Sequence, residues 1–141
     1  MDITDLKIVD SLKADSRSSV KEIGKKTGIP MTTVHYRLKN MQKHNAIRFT
    51  ARADRKFMGR ELVAYVLVKI LPGIDHEKTF ENIMLRKEVE EGAIVTGEYD
   101  LILKVSVKNM DELNDFVIKY LRVHKTIAET TTMLCYHITE K

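Results

Sequence analysis

The residues from Met31 to Lys43 include side chains of the types that recognise nucleic acids: hydroxyls, an imidazole, a phenol and ammonium groups. Val34, Leu38 and Met41 recur at positions i, i+4 and i+7, which predicts a helix with this apolar face turned inward. The outward face then carries Met31, Thr32, His35, Tyr36, Lys39 and Lys43. Such groups bond to base edges and phosphates, so this face predicts contact with DNA.

The elements that must position this face are three short helices in the first 44 residues. Apolar spacing, capping residues and helix stops place them at Thr4–Ala14, Ser19–Thr27 and Met31–His44. Thr4 or Asp5 can cap the first helix, and Ser19 with Glu22 matches a capping box for the second. Gly28 predicts a helix end at positive φ, and Pro30 suits the start of a helix. The arrangement predicts a helix-turn-helix, in which Gly24 would let the third helix cross closely.

The order of residues along the third helix predicts two kinds of contact. In a helix-turn-helix the first turns of the second motif helix enter the major groove. The residues expected to reach bases are Thr32, His35 and Tyr36. Those expected nearer phosphates are Arg37, Lys39 and Lys43. Arg37 has an alternative role, because it could pair inside the domain with an acid such as Asp15 or Glu22.

The segment after the third helix predicts a wing strand with a basic face. Alternation places Ile47, Phe49 and Ala51 on one face and puts Arg48 and Arg52 on the other. Phosphate contacts by such arginines supply affinity that depends on salt. With Met31 and Thr33 included, the predicted DNA contacts are Met31, Thr32, Thr33, His35, Tyr36, Arg37, Lys39, Lys43, Arg48 and Arg52.

Charge divides the chain into two parts. Residues 1–60 hold 14 Lys/Arg and 6 Asp/Glu, a net charge of +8, whereas residues 61–141 hold 10 and 14, a net charge of −4. A basic half beside an acidic half predicts that only the first part meets a polyanion. The predicted domains are a DNA-binding domain at 1–51, a linker at 52–61 and a second domain at 62–141.

The second half predicts a β-α-β-β-α-β order, the ferredoxin-like arrangement. The expected elements are strands Leu62–Leu71, Ala93–Thr96, Leu101–Val107 and Thr126–Thr139, and helices Asp75–Met84 and Met110–Val123. Two helices cover one face of such a sheet, and the other face is also expected to be apolar. We therefore predict that two sheets pack together in a twofold dimer. The fold class is α+β, with a winged helix-turn-helix preceding the ferredoxin-like domain.

Other residues argue against several classes of function. Cys135 cannot form an internal disulfide because it is the single cysteine, and it is expected to be a small buried side chain in a reducing cytoplasm. The five histidines have no metal-ligand spacing, so no metal is expected. We find no apolar run long enough to cross a bilayer, no nucleophile–base pair and no phosphate loop. The sequence predicts neither an enzyme nor a cofactor.

The chain resembles the Lrp/AsnC (feast/famine) transcriptional regulators over nearly its whole length. The matching segments are Asp5–Val9 with Leu12, Asp15–Arg17, Glu22–Gly24, Gly28–Ile29, Thr33–Val34, Arg37–Leu38, Gly59, Pro72–Gly73 and Val95–Asp100. Pro30 stands where the family usually has a serine cap, and Lys87 and Lys125–Thr126 replace common loop prolines and glycines. The resemblance implies a homodimer that assembles up to an octamer and binds double-stranded DNA.

The resemblance also implies an effector site, often for an amino acid, at the loop formed by Gly97, Glu98, Tyr99 and Asp100. There Asp100 could accept hydrogen bonds from an α-ammonium group. The loop could instead be only a turn or an oligomer contact. Two other functions stay open: an architectural DNA-binding oligomer without a specific operator, and a small-molecule-binding ferredoxin-like module.

Overall fold

Helices come first along the chain, and a four-stranded sheet with its own helices follows. The computed structural model describes residues 2–139, so the predicted domain limits at residues 1 and 141 lie outside the described part. The chain divides into two units, Met1–Arg52 and Ala53–Lys141. The elements are α1 (Ile3–Ala14), α2 (Val20–Thr27), α3 (Met31–Lys43), β1 (Leu62–Ile70), α4 (His76–Met84), β2 (Val89–Ile94), β3 (Leu101–Val107), α5 (Met110–Asn114), a π-helix (Asp115–Leu121) and β4 (Ile127–Leu134).

Capping boxes begin the first two helices. Ser19 accepts from the Glu22 N–H, and the Glu22 carboxylate accepts from the Ser19 N–H, which confirms the capping box predicted for α2. The cap predicted for α1 at Thr4 or Asp5 is wrong. Asp2 is the cap, and Asp5 is the residue that returns the hydrogen bond. The box begins at Asp2 because only there are the two carboxylates three residues apart.

The turn between α2 and α3 depends on two glycines. Gly28 ends α2 with φ at +71°, as predicted, in a conformation that side chains with a Cβ rarely adopt. A Cβ at Gly24 would lie 2.9 Å from the Ile29 carbonyl oxygen, so the missing side chain permits the close approach of the turn that leads into α3. The core of this unit is a cluster of Ile8, Ile23, Val34 and Met41.

The wing strand predicted after α3 is not formed. Residues 47–54 have no strand assignment. Ile47 packs against the core of the first unit, whereas Phe49 is half exposed. Alternation predicts which side chains share a face, but a strand also needs a hydrogen-bonded neighbour. Among the described residues, none is paired with this segment in a sheet.

The second unit confirms the ferredoxin-like fold. Its four antiparallel strands have the order β2-β3-β1-β4, with antiparallel pairing between each pair of neighbours. Alternate β1 residues, including Val66 and Val68, are fully buried in a core with Leu103 of β3 and Phe116 and Leu121 of the π-helix. The helices therefore cover one face of the sheet.

Two strands, β2 and β4, differ most from those predicted. β2 begins at Val89 rather than Ala93 and ends at Ile94 rather than Thr96, because pairing with β3 includes a polar stretch with no strand-like pattern. β4 ends at Leu134 rather than Thr139, since Ala64↔Leu134 is the last pair with β1. Cys135 therefore lies just beyond the strand, half-buried, with its N–H bonded to the Val63 carbonyl.

The helix predicted at Met110–Val123 has two parts. Five α-helical residues precede the π-helix, in which backbone hydrogen bonds span five residues. One of these bonds runs from the Arg122 N–H to the Val117 carbonyl. The apolar stripe that predicted a uniform helix is still buried, through Leu113, Phe116 and Leu121. A stripe of this kind reports which face is buried and not which backbone bond is made.

Most of the predicted linker forms a structured turn in the second unit. Arg55 makes two hydrogen bonds to the Glu90 carboxylate, at 3.0 and 2.7 Å. Arg60 donates to the Lys87 carbonyl at 2.7 Å. Glu90 lies at the beginning of β2 and Lys87 just before it, so residues 53–60 are attached to that end of the strand.

Candidate nucleic-acid interface and effector loop

The outward face of α3 is the candidate nucleic-acid interface. Val34 and Met41 are buried in the core of the first unit, which turns the opposite side of α3 to solvent. Tyr36 is 65% exposed and Met31 is 51% exposed. Thr33 is half-buried, and the other exposed residues on this helix include Thr32, His35, Lys39 and Lys43. The helix therefore presents both hydrogen-bonding and cationic groups on one side.

The beginning of α3 has a distinct electrostatic character. Pro30 occupies the cap position, and no side chain accepts a hydrogen bond there. The first N–H groups of a helix lack intrahelical acceptors and give the helix a positive end. These N–H groups could therefore donate to a phosphate oxygen at this end, next to the exposed side chains of the first turn.

Arg37 points toward α1 and not toward the partners considered from the sequence. Its Nη1 lies 2.7 Å from Asp2 Oδ2 and 3.3 Å from Asp5 Oδ1. The pairing of Arg37 inside the domain is present, but Asp15 and Glu22 are not its partners, because those two carboxylates serve local turns and caps. The Asp5 N–H, followed by Arg37, holds the pKa of Asp2 below its usual value despite the opposing effect of desolvation.

Arg48 and Arg52 lie on the extended segment that follows α3 and its terminal turn. Both side chains are exposed. They belong to the same unit as α3, which also carries the basic helix-turn-helix residues. Because no strand forms here, the alternation of a paired strand does not determine which side each of these two side chains takes.

The loop predicted to bind an effector joins β2 to β3. The Val95 N–H bonds to the Asp100 carbonyl at 2.8 Å, and Gly97 has φ at +120°. Gly97 and Glu98 are exposed. The Tyr99 hydroxyl forms a 2.7 Å hydrogen bond with the Thr131 hydroxyl of β4. The loop is therefore tied to the sheet through Tyr99.

Asp100 divides its two carboxylate oxygens between the sheet and the helix that follows β1. Oδ2 accepts from the Ile70 N–H at 2.6 Å, at the point where the register between β1 and β4 shifts. Oδ1 lies 4.0 Å from Nδ1 of His76. Sequence reasoning missed His76 and Thr131 because no local spacing relates them to residues 97–100.

Two kinds of feature are absent from residues 2–139. No group of three or more His, Cys, Asp or Glu side chains there is arranged to hold a metal ion. No helix in that range has both the length and the apolar character needed to span a bilayer.

Comparison with known proteins shows the family. Residues 1–42 match the AsnC-type helix-turn-helix domain, and residues 63–140 match the Lrp/AsnC ligand binding domain. The chain therefore belongs to the Lrp/AsnC family of transcriptional regulators, as its sequence predicted. It combines a helix-turn-helix with a ligand-binding domain.

Curated relatives agree with this assignment. An HTH-type transcriptional regulator of Pyrococcus furiosus is 35% identical over 139 residues, which cover 96% of this chain and 93% of the relative. The transcriptional regulator FL11 of Pyrococcus abyssi is 32% identical over 118 residues, covering 83% of this chain and 78% of FL11.

Solved structures of low identity share the fold. A Neisseria meningitidis transcriptional regulator in complex with L-Met has a TM-score of 0.91 at 21% identity, covering 100% of this chain and 93% of its own. E. coli AsnC has a TM-score of 0.88 at 22% identity, covering 100% and 97%.

Proposed function

We propose that this regulator binds specific DNA sites by inserting α3 into the major groove. The observation that carries the proposal is the exposed face of α3, which sets His35 and Tyr36 beside cationic residues on a helix anchored by Val34 and Met41. In a helix-turn-helix, base edges are read from this helix. The protein would act in the cytoplasm, on double-stranded DNA.

The proposed contacts differ along the helix and beyond it. Base contacts belong to Thr32, His35 and Tyr36, and Met31 can supply an apolar contact to a thymine methyl group. Thr33, at the first turn, suits a phosphate beside the helix terminus. The proposed phosphate contacts further along are Lys39, Lys43, Arg48 and Arg52. Losing one good base contact costs about 1–3 kcal/mol of discrimination.

Part of the sheet face opposite the helices is exposed, and this exposed part supports a dimer of two chains. Tyr65, Leu67 and Ile102 face away from the helices and are only half-buried, and Met133 is 48% exposed. Exposed apolar area is unfavourable by about 25 cal/mol per Å², and a second copy would cover it in a twofold arrangement. Two α3 helices would then read half-sites about one DNA turn apart, or a multiple of that spacing. Light scattering that gives a monomer at micromolar concentration would contradict this arrangement.

The loop of residues 97–100 is the proposed effector site, and an amino acid is the proposed effector. The Asp100 Oδ1 atom and the exposed Glu98 carboxylate can accept hydrogen bonds from an α-ammonium group. His76, 4.0 Å from that oxygen, can donate a hydrogen bond from a ring N–H to the carboxylate of the same ligand. The L-Met complex of the Neisseria regulator supports an amino acid as the class of ligand.

One binding experiment tests both parts. The full-length protein is titrated against the duplex upstream of its own gene and against a scrambled duplex of equal composition, at about 150 mM salt. Each amino acid is then added in turn. We expect a preference for the upstream duplex of at least about a thousandfold, changed by one amino acid or a few. Equal affinity for both duplexes would overturn specific recognition and favour an architectural role, with which the basic first unit is also compatible.

A further inference from the structure

Arg37 connects the exposed helix α3 to the beginning of α1. The neighbouring residue Tyr36 faces solvent, whereas the Arg37 guanidinium turns back into the unit. Its Nη1 contacts Asp2 Oδ2 at 2.7 Å and Asp5 Oδ1 at 3.3 Å. One nitrogen of α3 therefore joins both acids of the α1 capping box.

The two acids are arranged so that each performs two tasks with different oxygens. Asp2 Oδ1 accepts from the Asp5 N–H at 2.9 Å, and Asp5 Oδ2 accepts from the Asp2 N–H at 3.0 Å. The remaining oxygens, Asp2 Oδ2 and Asp5 Oδ1, both contact Arg37. The capping box thus holds the carboxylates in the orientation that Arg37 requires.

Because Asp5 is buried, losing its contact with Arg37 would be costly. Asp5 is 8% exposed, and a buried carboxylate is strongly unfavourable without a charged or hydrogen-bonding partner. The apolar contacts of α3, through Val34 and Met41, set which face of the helix turns inward. The Arg37 contact adds a directional link to α1, and it opposes small rotations of α3 that would move the tips of His35 and Tyr36 across the groove.

We propose that Arg37 is a positioning residue for DNA specificity, acting through Asp2 and Asp5, and is not a phosphate contact. The inference rests on the proposed function, in which α3 reads bases. It assigns Arg37 a role different from that of Lys39, although both are cations on the same helix.

Two substitutions on α1 separate positioning from simple electrostatics. Asp5→Asn removes a negative charge, which by charge alone strengthens binding to DNA. If Asp5 holds Arg37, and through it α3, the same change should lower affinity for the preferred duplex about tenfold and leave the scrambled duplex unchanged or bound more tightly. Asp10→Asn is the matched control, because Asp10 is an exposed acid on the same helix. It should leave the ratio of the two affinities unchanged.

The salt dependence of DNA affinity distinguishes a positioning role for Arg37 from a direct phosphate contact. Arg37→Ala should lower the specificity ratio about tenfold while the salt slope for the scrambled duplex stays as in the wild type. Lys39→Ala should instead reduce that slope by about one and leave the ratio unchanged. Each variant is assayed below the onset of its own melting transition, as followed by circular dichroism.

The outcomes are distinct. A slope reduced by about one in Arg37→Ala, with an unchanged ratio in both Arg37→Ala and Asp5→Asn, would overturn the positioning role and make Arg37 a phosphate contact. If Arg37→Ala does not fold, Asp5→Asn against Asp10→Asn decides alone. A wild-type protein with no preference between duplexes would overturn the proposed function itself, before any variant is tested.

Discussion

The two units of this chain are stabilised by different means. The first has a core cluster of four buried residues, Ile8, Ile23, Val34 and Met41, whereas the second has a core cluster of 14. Buried apolar area is the main favourable contribution to folding, so the first unit has less of it. Its capping boxes, its tight turn and the Arg37 contact should therefore account for a larger share of its stability. A unit built in this way can expose a polar helix for DNA while a larger core supports the sheet.

The largest expected effect is in the core of the second unit. Phe116 is 1% exposed, and Phe116→Ala should lower the free energy of unfolding of that unit by about 3–5 kcal/mol, because it leaves a cavity. Denaturation in urea, monitored by hydrogen exchange in each unit, measures this loss of stability. Phe57→Ala is the control: Phe57 is 85% exposed, and its removal should change the same quantity by no more than about 0.5 kcal/mol. Equal losses in the two variants would contradict the assigned core.

A smaller effect is expected at the glycine beside the turn of the first unit. A Cβ at Gly24 would meet the backbone oxygen of Ile29 at 2.9 Å, and backbone cannot move aside as a side chain can. Gly24→Ala should cost about 1–3 kcal/mol although alanine favours helix. At Gly92 in the second unit, the nearest atoms are side-chain ends of Met84 and Phe80, at 2.7 and 2.8 Å.

Gly92→Ala is the matched comparison for Gly24→Ala. Because flexible side chains can rearrange, its thermal denaturation midpoint should fall less than that of Gly24→Ala. A larger fall at Gly92 would show that the second core is the less adaptable of the two, which would reverse the comparison.

Removing one helix cap in each unit, at a cost of about 1 kcal/mol, should affect the smaller first unit more. Ser19 caps α2 through the Glu22 N–H at 3.2 Å, and Asn109 caps α5 through the Glu112 N–H at 3.0 Å. Ser19→Ala and Asn109→Ala should each cost about 1 kcal/mol. Hydrogen exchange should detect the first as a larger fraction of the stability of its unit. Equal fractional losses would mean that caps matter no more in the small unit than in the large one.

The smallest expected effect concerns the acid side of the pH profile. The hydrogen bond from Arg55 is the main reason that the pKa of Glu90 lies below its usual value, against the effect of desolvation. A carboxylate with a lowered pKa in the folded state contributes stability above its unfolded pKa, and this contribution is lost as pH falls through the folded pKa. Stability should therefore decline on acidification below about pH 4.5.

Arg55→Gln tests this assignment. It should cost no more than about 1 kcal/mol at pH 7, because the ion pair is partly exposed, and should flatten the decline at acidic pH. Lys56→Gln removes the same charge from an exposed neighbouring residue and should leave the profile as in the wild type. An unchanged acid profile in Arg55→Gln would contradict the role of the Arg55–Glu90 pair.

Signals from residues close together in the sequence were sufficient to predict the helix-turn-helix. The capping box of Ser19 and Glu22, the stop at Gly28 and the apolar face of α3 each involve residues only a few positions apart. Such interactions form within one helix or turn, so the chain order alone reveals them. The exposed face of α3 followed directly, because the inward positions of a helix determine the outward ones. The order of elements in the second unit was also predictable from changes in hydrophobic period.

Only tertiary structure decided the features that depend on distant partners. The extent of β2 depends on pairing with β3, and the predicted wing strand has no pairing partner among residues 2–139. Asp5 and Arg37 are 32 residues apart, and Tyr99 and Thr131 are also 32 apart. No spacing rule connects such residues, because their approach results from the packing of whole helices and strands. Composition indicated which groups could bind DNA or a ligand, and folding determined which of those groups are already engaged within the protein.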